Sequence, residues 1–114
     1  MFDTYLNKFF VIGVESKFDP QRQTFVRGFY YSFSDDLIHW SDSQLLVAAP
    51  QCDPAGTPGF GAYPGILDPN STDRNFNTVG QNAYMYWARF NNPPGVCANT
   101  NDRDFVRVPI RFSP

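Results

Sequence analysis

The sequence predicts an all-β chain of short antiparallel strands, and three observations predict it. Aromatic residues make up 18% of the 114 residues, twelve of them Phe, and such side chains suit a pleated, half-buried surface. Eight Gly and ten Pro punctuate the chain, which favours strands joined by turns. No stretch of ten residues carries apolar side chains at helical spacing; they recur in alternation or in short unbroken runs. Hydrophobic residues at 42% against 18% charged are the balance of a chain that buries a core.

The elements follow in order. Lys8 to Ser16 is apolar on both alternating sets, Phe9 and Val11 on one, Phe10, Ile12 and Val14 on the other. A strand of that kind is expected to lie between two layers. The segment Phe18-Asp19-Pro20-Gln21-Arg22-Gln23 is a polar turn, and Phe25 to Ser34 a second strand. Ser34 or Asp35 is expected to cap a single helical turn, with Leu37 and Trp40 folded back onto the sheet. Gln44 to Ala48 is a third strand. From Pro50 to Gly61 the composition shifts to Pro, Gly, Asp and Thr, which marks a connecting loop. Tyr63 to Leu67 and Ala83 to Phe90 are the next strands. Phe105 to Phe112 comes last, with Val106, Val108, Ile110 and Phe112 on one face and Arg107, Pro109 and Arg111 on the other. Pro109 cannot donate to a ladder, so that strand belongs at an edge.

Composition also excludes. The net charge is −2, the isoelectric point about 5.1, and no run of Lys or Arg occurs, so a basic nucleic-acid face is not expected. No apolar run approaches the roughly 18 residues of a membrane span. The six-residue run Phe9 to Val14 is closed by Glu15 and is too short for a signal peptide, so it is read as a strand. One His and two distant Cys offer no metal-site spacing, and no glycine-rich phosphate loop follows a strand. No cofactor is expected.

Two strand-rich units therefore emerge, 1–49 and 62–114, joined by the loop 50–61. Their motifs bear a resemblance to a known family. The segment Gly28-Phe29-Tyr30-Tyr31-Ser32-Phe33-Ser34-Asp35-Asp36-Leu37-Ile38-His39-Trp40-Ser41 resembles a blade segment of the five-bladed β-propeller glycoside hydrolases, families 32, 43 and 62 among them. Ala62-Tyr63-Pro64-Gly65-Ile66-Leu67-Asp68-Pro69 resembles a strand that opens a late blade, with Gly65 where Ser is more usual. Asp104-Phe105-Val106-Arg107-Val108-Pro109-Ile110 resembles the closing strand. The three lie in the order of that family's C-terminal part.

Propeller repeats take roughly 40–50 residues per blade, so this chain corresponds to fewer than two blades. The resemblance implies hydrolysis of glycosidic bonds in plant-type oligo- or polysaccharides by an exported parent protein. It also implies that the catalytic base, the pKa-tuning Asp and the acid Glu belong to earlier blades. Glycoside hydrolysis needs two carboxyl groups about 5–9.5 Å apart. The acids here sit mostly in turns, Asp35-Asp36 and Asp68 among them, so no catalytic residue is assigned. A non-catalytic carbohydrate-binding or assembly module is the alternative.

In that family the pocket lies where each innermost strand begins and its neighbour finishes. By the resemblance that end carries Tyr63, Arg89 and Phe90, with Glu15 finishing the corresponding strand of the earlier unit. Aromatic faces stack on sugar rings, and Arg or Glu bond their hydroxyls. Against this stands Tyr63 as core and Arg89 paired with a loop acid. Antiparallel pairing brings the loops holding Cys52 and Cys97 to one end, where a disulfide and two free thiols both remain open. A disulfide would fit export. Asn70-Ser71-Thr72 is a glycosylation acceptor if the source is eukaryotic and secretory. Carbohydrate is the expected partner, together with further copies of the chain or missing blades on exposed strand edges.

Overall fold

A computed structural model describes residues 1–50, 61–92 and 101–114. The described residues form eight strands and no helix: β1 (Phe2–Asp3), β2 (Lys8–Asp19), β3 (Thr24–Ser34), β4 (Gln44–Ala48), β5 (Gly61–Leu67), β6 (Thr78–Val79), β7 (Asn82–Phe90) and β8 (Arg103–Arg111). One sheet has the order β4-β3-β2-β1-β6 and the other β5-β7-β8. All pairings are antiparallel except β1 with β6.

The β2–β3 hairpin organises the larger sheet, in continuous register from Phe9↔Ser34 to Asp19↔Thr24. Its turn is set locally. The Asp19 carboxylate accepts the Gln21 amide at 2.9 Å, and Gln23 takes a left-handed backbone (φ 54°) while its side chain donates to the Pro20 carbonyl. Residues facing each other across such a ladder share one side of the sheet. Phe10, Phe33, Ile12, Tyr31, Val14 and Phe29 therefore line one face. β4 adds to β3 with a bulge at Phe29/Tyr30, and it approaches so closely that a Cβ on Gly28 would collide with the Val47 carbonyl.

The second sheet presents Ala83, Met85 and Trp87 of β7, with facing Ile110, Val108 and Val106 of β8, to the first. Phe10, Phe29, Ala49, Ile66, Val79, Ala83, Met85 and Phe112 form a single buried cluster drawn from both sheets. Phe10 meets Phe112 with ring centroids 5.3 Å apart. β8 is an edge, as Pro109 requires.

Several expectations need correction. β2 is covered on one side only: Phe10 is buried and Ile12 packs on the core, but Val11 and Val14 are exposed. A second layer exists on one face alone, and the hairpin outruns it. No helical turn follows Ser34: the Asp36 carboxylate takes the Ile38 and His39 amides that a helix would give to the Ser34 and Asp35 carbonyls. The Ser34 hydroxyl accepts from the Asp36 and Leu37 amides. Leu37 consequently sits at φ 65°, and both it and Trp40 are exposed rather than folded back. The two-residue strand β6, too short to show a period, is an addition to the expected map.

Candidate functional site

The predicted pocket end is where β5 begins and β7 finishes. Gly61 faces Arg89 and Ala62 faces Ala88, after which the register slips before Gly65↔Tyr86. Pro64 has no amide to give the ladder, and the chain bulges there. Tyr63, beside it, is held in the left-handed region at φ 60°, a position that bulky residues rarely occupy. Its side chain is 64% exposed, so Tyr63 is not core.

Arg89 uses Nη2 to reach the Asp104 carboxylate at 2.9 Å on the facing position of β8. That bond holds the Asp104 carboxyl below the usual range. The Arg89 Nε is buried and has no hydrogen-bond partner. Phe90 is buried, and the Arg103 guanidinium lies 4.7 Å above its ring centroid. Phe90 can thus seat Arg103 but has no open face for a sugar.

Glu15 does not finish its strand, since β2 continues to Asp19; it is exposed, opposite Gly28. Adjacent Arg27 donates through Nη1 to the Ala49 and Gly61 carbonyls at 2.6 and 3.2 Å. The Arg27 side chain, next to Gly28, thus reaches the end of β5 where Gly61 faces Arg89, while Glu15 itself stays mid-strand. Tyr63 is presented there, Arg89 is anchored by Asp104, and no hydrogen bond or ion pair joins either to Glu15. Cys52 and Cys97 lie outside the described residues.

Among the described residues, the other polar groups are arranged for structure rather than for hydrolysis. Ser34, Asp36 and His39 are contiguous, with Ser34 Oγ 3.1 Å from Asp36 Oδ1 and His39 Nδ1 2.7 Å from Asp36 Oδ2. The carboxylate stands between hydroxyl and imidazole, the wrong order for a base to activate the hydroxyl. The Asp36 carboxyl is held far below its ordinary range, first by His39 and then by the amides it accepts. Asp68 is buried and spent on structure, bonding the Asn70 and Gly80 amides at 2.9 Å each. Among the described residues no three His, Cys, Asp or Glu are grouped to hold a metal ion, and no helix is long and apolar enough to cross a membrane.

Two features escaped the sequence reading. Asp3 is fully buried, with Oδ1 accepting the Tyr5 and Leu6 amides and Oδ2 without a partner. Burial pushes its carboxyl up, against those two bonds. The other is a groove beside Trp40, which depends on the non-helical course of residues 34–41. The short turn after Asp3 was the one signal for the first; nothing in the residue pattern marks the second.

No protein-family model, no curated protein and no solved structure matches the chain.

Proposed function

We propose that the chain is the C-terminal part of a glycoside hydrolase-like five-bladed propeller acting on plant-type oligo- or polysaccharides. In this reading it contributes substrate contacts, while the catalytic acid and base belong to blades outside it. The observation that carries it is Tyr63, an exposed aromatic residue held at φ 60° two positions along β5 from Gly61, which faces Arg89, at the end where such a pocket would lie. Backbone strain of this kind clusters at ligand sites. The consecutive order β1-β2-β3-β4 in the larger sheet also supports the reading, since a blade is a four-stranded meander.

A non-catalytic sugar-binding or assembly module is the second reading. It is favoured by the hairpin end, where Val14, Phe18 and Phe25 continue the core face into solvent. Purified chain incubated with chromogenic arabinofuranoside, xyloside and fructoside substrates tests the absence of the acid and base. The expected result is no release of chromophore. Turnover that survives further purification would place the catalytic pair within this chain and overturn the assignment.

A further inference from the structure

The loop 34–41 and the β1–β2 turn, together with Gln44, Ser113 and Pro114, line an open groove of about 560 Å³, within the range of small-molecule sites. It lies at the Ser34 end of β3, seven residues from Arg27 and hence about 20 Å of strand from the Tyr63 end. Leu6 and Phe33 are apolar lining; Lys8, Asp35, His39 and Trp40 supply the polar and aromatic groups.

We propose that this groove is a second carbohydrate site, taking a neutral pyranose or furanose ring of an oligosaccharide against Trp40. The loop is built to hold the indole outward. Ser41 closes it by donating its amide to the Phe33 carbonyl at 2.9 Å and accepting the Phe33 amide through Oγ at 3.0 Å. The Ser34 and Asp36 side chains fix the residues between, including strained Leu37. Trp40 is 41% exposed on a loop whose shape is set before any ligand arrives. Across the groove the Lys8 ammonium and Asp35 carboxylate meet at 2.7 Å. Their charges offset each other, so a strongly charged ligand gains little, and the polar rim disfavours a purely apolar one. A sugar ring has the complementary form: an apolar C–H face for the indole, and hydroxyls at its edge for the Lys8, Asp35 and His39 groups.

The inference shares the carbohydrate reading above, so the test separates the two ends. Xylohexaose, arabinohexaose and an inulin-type fructan are each titrated into wild type, Tyr63→Ala, and Tyr63→Ala combined with Trp40→Ala. The expected result is binding that persists in Tyr63→Ala and weakens at least about tenfold on adding Trp40→Ala. Asp35→Ala in the Tyr63→Ala background, which opens an exposed ion pair and leaves the loop bonds intact, is expected to weaken it several-fold and covers a folding failure of the Trp40 variant. Binding abolished by Tyr63→Ala alone overturns the groove and leaves the Tyr63 site standing. Persistence without weakening in both groove variants overturns the groove as well. Absence of binding in wild type overturns both.

Discussion

Phe29 meets the Trp87 indole edge-on, with ring centroids 5.8 Å apart and planes at 61°. One ring belongs to the five-stranded sheet and the other to the three-stranded sheet, so this contact is part of what holds the two together. Phe29 is also fully buried, in the same core cluster as Met85 of β7. The edge-to-face geometry adds to the burial of both rings by about 1 kcal/mol.

Phe29→Ala is therefore expected to cost about 3–5 kcal/mol, the range for removing a buried ring from a packed core. Chemical denaturation followed by circular dichroism checks it. A loss below about 1 kcal/mol would mean that the sheets are not joined through this residue.

Stability should carry a pH signature from Asp3. Burial raises its carboxyl in the folded chain above the unfolded value, so the unfolded state ionises first as pH rises. The contribution is fully present below about pH 4, the unfolded carboxyl value, and is lost as pH climbs through the folded value. Asp3→Asn keeps an oxygen to accept the Tyr5 and Leu6 amides and removes the ionisation. The urea midpoint of Asp3→Asn relative to wild type is expected to rise from pH 4 to pH 7. A difference independent of pH would contradict the assignment.

Tyr63 gives a separate signature, because its backbone and its ring act differently. A left-handed conformation costs a non-glycine residue about 1–2 kcal/mol, and glycine escapes that cost while losing about 0.5–1 kcal/mol to chain freedom. Tyr63→Gly is expected to be at least as stable as Tyr63→Ala, with equal loss of sugar binding at that end. Thermal melts of the two variants decide it; Tyr63→Gly melting well below Tyr63→Ala would show that the φ is not what the position requires.

Much of the strand map was legible because alternation and turn chemistry are local. Gln44–Ala48 forms β4 with the expected bounds, and Pro109 places β8 at an edge. Coverage was less legible, since it depends on where the second sheet stops: Val11 and Val14 look as apolar as Phe10 in sequence but are left about half exposed. Residues 34–41 depart from the expected helical turn for a related reason. Ser34 is a good helix cap, and here its bonds, joined by those of the Asp36 carboxylate, make a non-helical loop that leaves Trp40 exposed. At the candidate site, burial of Phe90 and the mid-strand position of Glu15 come from packing and register that single residues do not encode.

The uncovered part of β2 and β3 bears on self-association. Phe18 and Phe25 pair edge-on at 5.4 Å near the hairpin tip, with Phe25 68% exposed. Contiguous apolar surface of this kind marks contact sites. Light scattering coupled to size exclusion is expected to report a mass above the 13.0 kDa of one chain, reduced towards it by Phe25→Asp. A wild-type monomer across micromolar concentrations would show that this surface needs no cover.

The most direct test of the central claim, sugar contact without hydrolysis, is a calorimetric titration of xylohexaose, arabinohexaose and inulin-type fructan into the purified chain, followed by chromatography of the recovered sugar. The account predicts saturable heat with at least one of the three, and oligosaccharide recovered at its original length. Shortened products, or no heat with any of them, would contradict it.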